Sequence, residues 1–345
     1  MTNAMKTVTF GEIMLRLSPP GFERFFQSPV LQATFGGGEA NVAVSLAHFG
    51  LESYYVSRVP ANAIGDGAIR ALRAEGVRTD FVQRGGDRLG IYFAETGASQ
   101  RASTVVYDRA GASIGAVKPG DIAWSEVFAG AGWFHVTGIT PALGPGVADA
   151  TREALGAARE AGACISMDLN YCAKLWTRER AREVMRLLAA MVDVLIANEE
   201  DIQACLGLDV RGADIVGGQL DVTGYRDVAA RVAREFGVQQ VAITLRESHS
   251  ASRNGWSAVI YERSGGGFFQ SPHYDVTLVD RIGGGDSFAA GLIYALATGR
   301  APEAALGFAV AASALKQTIP GDFNRVSAAE VDRLALGDQS GRVQR

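Results

Sequence analysis

Apolar residues along this chain fall into short runs that alternate with stretches of helical spacing. Thr7 to Phe10 is an apolar run, broken by Gly11-Glu12 before a second strand-like piece from Ile13 to Leu17, and Ser18-Pro19-Pro20-Gly21 then turns the chain. Phe25-Phe26-Gln27, Gly90 to Thr96 and Thr104 to Asp108 are β-prone pieces in a region poor in helix signals. They predict a small sheet set apart from the rest. Gly36-Gly37-Gly38-Glu39-Ala40-Asn41 opens a helix through His48, followed by a strand over Glu52 to Val59, a helix over Asp66 to Ala74 and a strand over Phe81 to Gln83. From Trp133 the alternation is steady. Strands at Trp133 to Val136, Ala163 to Asp168, Val192 to Ala197 and Val241 to Leu245 are separated by helices at Gly146 to Ala161, Arg178 to Ala190 and Tyr225 to Phe236. A further strand at Ser257 to Tyr261 precedes helices that start near Gly285 and at Pro302, and Ser327-Ala328-Ala329-Glu330 is a capping box for the last helix. Beyond Gly337 the end is expected to fray. The fold class that follows is α/β: a doubly wound, mostly parallel sheet with helices on both faces. Residues 1–345 read as one domain carrying a small β lid from segments of about 12–35 and 88–112.

Composition narrows the function classes. With 48% hydrophobic residues there is ample material for a core, and a net charge of −4 with scattered basic residues speaks against a nucleic-acid surface or a polybasic membrane patch. The lysines are Lys6, Lys118, Lys174 and Lys316, none of which follows a glycine, which excludes a Walker A loop. Cys164, Cys172 and Cys205 lack the spacing of a zinc site or a disulfide framework, and His48, His135, His249 and His273 lack metal-ligand spacing. With no signal-peptide pattern, the cytoplasm is the expected location.

The stretch Asp280-Arg281-Ile282-Gly283-Gly284-Gly285-Asp286 carries the clearest chemistry. Three glycines run into a helix start, where bare backbone N–H groups and the positive end of the helix dipole suit a phosphate. Asp286 in the first turn is either an ordinary helix cap or, if an anion binds there, a base beside the transferring group. In an open parallel sheet ligands gather at the carboxyl ends of strands. Asp168-Leu169-Asn170, Asn198-Glu199-Glu200-Asp201 and Thr244-Leu245-Arg246 occupy such places, although each alone is equally an N-cap or a loop. Gly111-Ala112-Ser113-Ile114-Gly115 matches the serine-hydrolase pattern but lacks its strand-turn-helix context. Gly36 to Asn41 fails as a dinucleotide fingerprint, because Asn41 stands where the third glycine belongs.

Asp280 to Gly291 resembles the second signature of the ribokinase-like sugar kinases, the PfkB family, with Gly284 where alanine is usual, and Gly36 to Ala43 resembles their first. The resemblance implies that Asp286 is the catalytic base and that the amides of Gly283, Gly284 and Gly285 hold the charge of the γ-phosphate. It places Gly37, Gly38 and Asn41 at the sugar, Asn170, Thr244 and Arg246 at the nucleotide, and Asn198, Glu199 and Asp201 around Mg²⁺ through water. Here Asp201 stands where the family motif Asn-x-x-Glu has glutamate, and Glu199 is a substitute. ATP and Mg²⁺ are the implied cofactors, with a monovalent cation such as K⁺ left open.

Within the family the chain is most similar to the 2-keto-3-deoxygluconate kinases, in Phe35 to Val44, Tyr107 to Gly111, Gly138 to Leu143, Asp168 to Trp176 and Thr318 to Phe323. Matching positions imply that Gly37, Tyr92, Tyr107, Arg109 and Asp322 contact a sugar acid whose terminal hydroxyl receives the phosphate. Cys172 stands where the related motif Asp-x-Asn-x-Arg carries arginine. A neutral thiol cannot supply that cation, so either Arg109 or another arginine replaces it or the sugar is a different one, such as fructose or another keto-gluconate. A non-catalytic sugar sensor is the competing class, and the intact glycine-aspartate turn argues against it. Expected partners are the sugar acid and ATP, neither nucleic acid nor membrane, and a second subunit paired through the exposed lid sheet as a homo-oligomer.

Overall fold

A computed structural model describes residues 4–209 and 222–338. In chain order its strands are β1 (Lys6–Phe10), β2 (Met14–Ser18), β3 (Gln32–Gly36), β4 (Glu52–Val59), β5 (Val82–Arg84), β6 (Gly90–Glu95), β7 (Thr104–Asp108), β8 (Ala131–Thr137), β9 (Cys164–Asp168), β10 (Val194–Ala197), β11 (Gln240–Ser250), β12 (Arg253–Glu262), β13 (Gly267–Gln270) and β14 (Tyr274–Thr277). The continuous apolar runs become the centre of the large sheet because a strand covered on both faces needs apolar residues at every position. In β10, Leu195 and Ala197 face one helix layer while Val194 and Ile196 face the other. The sheet has ten strands in the order β13-β12-β11-β10-β9-β8-β1-β4-β5, with β14 pairing to β12. From β5 to β11 neighbours run parallel, and β12, β13 and β14 add an antiparallel edge.

One face packs against helices Pro145–Glu160, Arg178–Ala189 and Val222–Phe236. The other packs against Gly38–His48, Gly284–Ala297, Pro302–Lys316 and Ala328–Ala335. The small residues between Ala309 and Leu315 let two of these helices touch backbone to backbone: a Cβ on Gly291 would lie 2.8 Å from Ala309 Cα. That run is close packing.

A separate four-stranded sheet has the order β3-β2-β6-β7. It contains the β6 and β7 expected of the lid, but its edge is Gln32–Gly36 and not Phe25-Phe26-Gln27. The latter segment is a turn in which Phe26 takes φ 62 and the Gln27 amide donates to Arg24 O. Only Phe25 packs, its ring meeting Phe93 edge-on at 6.4 Å, whereas Phe26 is 83% exposed. The edge strands β13 and β14 were not foreseen. Ser113 is 2% exposed, opens a 3-10 turn and donates to Arg88 O, so it is no exposed nucleophile. The expected fraying beyond Gly337 falls, from 339 onward, outside the described residues. Among the described residues no helix is long and apolar enough to cross a membrane.

Candidate active site

Helix Gly284–Ala297 starts from Gly283, which takes the left-handed conformation at φ 84 and caps the helix without a side-chain hydrogen bond. Only glycine fits there, because a Cβ would overlap the carbonyl oxygen of Asp322. Two residues on, a Cβ on Gly285 would meet nothing within 4 Å. The turn is therefore held from behind and open in front, a helix N-terminus on which an anion can rest. Asp286 is not a cap of its own helix. Its Oδ2 accepts from Asn41 Nδ2 at 2.7 Å, and a Cβ on Gly38 would lie 3.6 Å from its Oδ1. Burial pushes the Asp286 carboxyl up to about 7, opposed by the Asn41 hydrogen bond, reinforced by Asp322 and Glu39, and opposed by Lys316. A carboxylate with that pKa is matched to taking a proton near neutral pH.

The two glycine-rich stretches thus meet across the site, and buried polar contacts fix the first of them. Glu39 Oε1 accepts from the Thr137 amide and hydroxyl at 2.8 Å and from the Thr140 hydroxyl at 2.7 Å, which ties helix Gly38–His48 to the end of β8. A Cβ on Gly37 would overlap the carbonyl oxygen of Glu12, so glycine is what lets this backbone pass against the Glu12-Ile13 segment.

On the small sheet, Tyr92 and Tyr107 are opposite each other on β6 and β7, with ring centroids 6.0 Å apart. Tyr107 is 40% exposed, whereas Tyr92 is 3% exposed and donates to the Asp322 carboxylate at 2.6 Å. Asp322 also takes Arg16 Nη1 at 2.8 Å, so the Tyr92 hydroxyl, the Asp322 carboxylate and the Arg16 guanidinium satisfy one another. Arg109 lies over the Tyr107 ring at 5.3 Å and forms an ion pair with buried Glu12. The cation missing at Cys172 has a neighbour that sequence reasoning passed over. Lys174 Nζ is 5.4 Å from the Tyr107 ring, and Cys172, Lys174, Tyr107 and Arg109 line one cavity. Its signal was position, two residues after Cys172 in the same loop.

A second cleft, of about 360 Å³, is lined by Asp168, Asn170, Asn198, Glu199, Thr244 and Arg246 together with Gly284 and Gly285. The strand-end clusters and the anion turn therefore share one groove. Arg281 lines it too, and its Nε has no partner. Burial and the nearby Arg246 both lower its pKa. Two guanidiniums that oppose each other beside a glycine turn are suited to a polyanion. Arg281 was missed as a site residue although it adjoins the glycines. Asp201 lines the same groove with its carboxylate already held by the protein. It closes a capping box with Asn198 and accepts the amides of Tyr171 at 2.9 Å and Asn198 at 3.3 Å. Burial raises it to about 6. Glu199, which accepts from Tyr225 at 2.9 Å, Glu200 and Asp201 all line the cleft from this segment. Among the described residues no group of three His, Cys, Asp or Glu converges to hold a metal by itself.

A model of the pfkB family carbohydrate kinases matches residues 6–326. The chain belongs to that family. A 2-dehydro-3-deoxygalactonokinase of Haloferax volcanii is 35% identical over 97% of this chain and 98% of its own length. A 2-dehydro-3-deoxygluconokinase structure from Thermotoga maritima is 49% identical, covers 96% of this chain and 100% of that one, and superposes with a TM-score of 0.92. A putative ribokinase II from E. coli, in complex with ATP and Mg²⁺, shares the fold at 19% identity with a TM-score of 0.79 over 96% of this chain and 99% of that one. In this PfkB kinase the two glycine-rich stretches that resemble the family signatures meet through one hydrogen bond, from Asn41 to Asp286.

Proposed function

We propose that this PfkB kinase transfers the γ-phosphate of ATP to the terminal hydroxyl of 2-keto-3-deoxygluconate. The observation that carries the reading is Asp286, held by Asn41 at the open glycine turn with its carboxyl raised to about 7. Asp286 takes the proton of the attacking hydroxyl, and the turn from Gly283 to Gly285 receives the charge that develops on the transferring group. Arg246 and Arg281 steady the nucleotide phosphates in the cleft. The donors present suit Mg²⁺ brought in with the nucleotide: Asn198, Glu199 and Asp201, with Asp168 and Glu200 beside them, are on the cleft wall and can orient its water shell. When bound, the ion neutralises charge shared between the phosphates. The sheet β3-β2-β6-β7 acts as a lid that excludes water, with Arg109 and Lys174 as the cations for the sugar carboxylate.

The names of the Haloferax and Thermotoga relatives support a 2-keto-3-deoxy sugar acid, and the former favours the galacto epimer as a second reading. ADP release from Mg·ATP with 2-keto-3-deoxygluconate, its galacto epimer and fructose tests the choice. The expected result is the largest kcat/KM for one of the two acids. Preference for fructose would overturn the carboxylate assignment. Lys174→Met should raise KM for the acid about tenfold, the size of one charge-assisted hydrogen bond, with kcat nearly constant. An unchanged KM would remove Lys174 from the sugar site.

A further inference from the structure

Lys316 ends helix Pro302–Lys316 with no exposed surface, and the transfer reaction as described leaves it without a role. Its Nζ is 2.6 Å from Gly321 O and 3.3 Å from both Asp280 O and Ile319 O. An ammonium has three donors, and here three backbone carbonyls receive them; a neutral amine would instead turn its lone pair on one of those oxygens. Burial lowers Lys316 from its ordinary value, while Asp280, Asp322 and Asp286 work the other way and Arg16 adds to the lowering. The carbonyls come from the two segments that shape the anion turn. Asp280 begins the stretch that leads into Gly283, and Gly321 precedes Asp322, whose carbonyl oxygen backs Gly283. The lysine stem lies beneath the same turn, with Cε 3.1 Å from where a Gly283 Cβ would be.

Inward-facing backbone carbonyls are also what a bare monovalent cation takes in place of its water shell. A potassium ion and an ammonium group are close in size, so one set of oxygens cannot hold both. We propose that Lys316 is a tethered cation: its ammonium occupies the place of a monovalent ion, joins the 280–283 and 319–322 segments, and positions the glycine turn so that this kinase needs no added K⁺. The K⁺ left open by the sequence does not fit at these carbonyls, because they already have a covalently attached partner. Lys316 is a positioning residue and touches no reacting atom.

The proposal rests on the kinase reading only for its activity arm, since its melting arm needs neither sugar nor ATP. Turnover of the wild type on whichever sugar it accepts should be the same in KCl, NH₄Cl and choline chloride at equal ionic strength. Lys316→Ala should lose about tenfold or more in kcat in choline chloride and recover with NH₄Cl or KCl but not with tetramethylammonium. Its thermal midpoint should rise in KCl relative to choline chloride, whereas that of the wild type should not. Activation of the wild type by K⁺ would overturn the proposal. So would full activity of Lys316→Ala in choline chloride, or a folded Lys316→Ala whose activity and melting respond to no cation. If the alanine variant does not fold, Lys316→Met keeps the stem, and the wild-type comparison between KCl and choline chloride decides on its own.

Discussion

Asp286→Asn is expected to lower kcat by about 10²–10⁴-fold, the usual contribution of a positioned base, with a much smaller change in KM for the sugar. The amide keeps the shape of the side chain, and its oxygen can still accept from Asn41, so the glycine turn and the sugar cradle stay as they are. What is lost is the ability to take a proton. In the wild type, kcat/KM should fall below about pH 7 as Asp286 protonates, and the variant should lack that limb. Stability should move the other way. The folded carboxyl sits at about 7 against 3.8 for the ordinary group, so between those values the folded state holds a proton that the unfolded chain has released. Stability from this group is present at pH below 3.8 and is lost as pH rises through 7. Asp286→Asn, neutral throughout, should therefore melt above the wild type at pH 8, with the difference closing towards pH 4. Wild-type turnover in the variant would remove Asp286 from the role of base, and a lower melting point at pH 8 would contradict the burial argument.

How much of this was legible depends on how far apart the interacting residues lie. The β-α alternation is a local pattern, and the sheet from β1 to β11 follows it closely. Glycine turns are local as well: Gly283 and Gly37 are marked in the sequence because no side chain fits where the backbone bends or is touched. Phe25 to Gln27 misled because an apolar residue by itself guarantees neither pairing nor burial: in this turn Phe25 packs on Phe93 while Phe26 is exposed. Asp201 carries two local features at once: Asn198 and Asp201 have capping-box spacing, and both also line the cleft. Lys316 was invisible as a site residue, since its carbonyl partners become neighbours only when the 280–283 and 319–322 segments fold together. The same holds for Tyr92 and Asp322, which match family positions but meet each other through the fold.

Arg16 is the furthest reach of that long-range chemistry, and Arg16→Met should destabilise the protein by about 3–5 kcal/mol. On β2, inside the small sheet, its guanidinium reaches 264 residues along the chain to Asp280 Oδ2 at 2.7 Å and 306 residues to Asp322 Oδ1 at 2.8 Å, while Nε donates to Ser18 at 2.9 Å. The three charged side chains are 5%, 8% and 2% exposed, so water cannot take over when the arginine is removed. Methionine fills the space of the stem and leaves two buried carboxylates with Lys316 as their remaining nearby cation. Arg16→Lys should recover little, because a single ammonium cannot span two carboxylates as the planar fork does. Adding Asp322→Asn to Arg16→Met should cost less than the sum of the two changes, since it removes one of the stranded charges while its amide oxygen can still accept from Tyr92. Urea unfolding of the four proteins measures this cycle, and a loss below about 1 kcal/mol for Arg16→Met would show that the cluster is better hydrated than its burial implies. Because Asp280 leads into the glycine turn and Asp322 backs it, the variant that remains folded should also lose kcat, which ties the anchoring of the small sheet to the shape of the phosphate site.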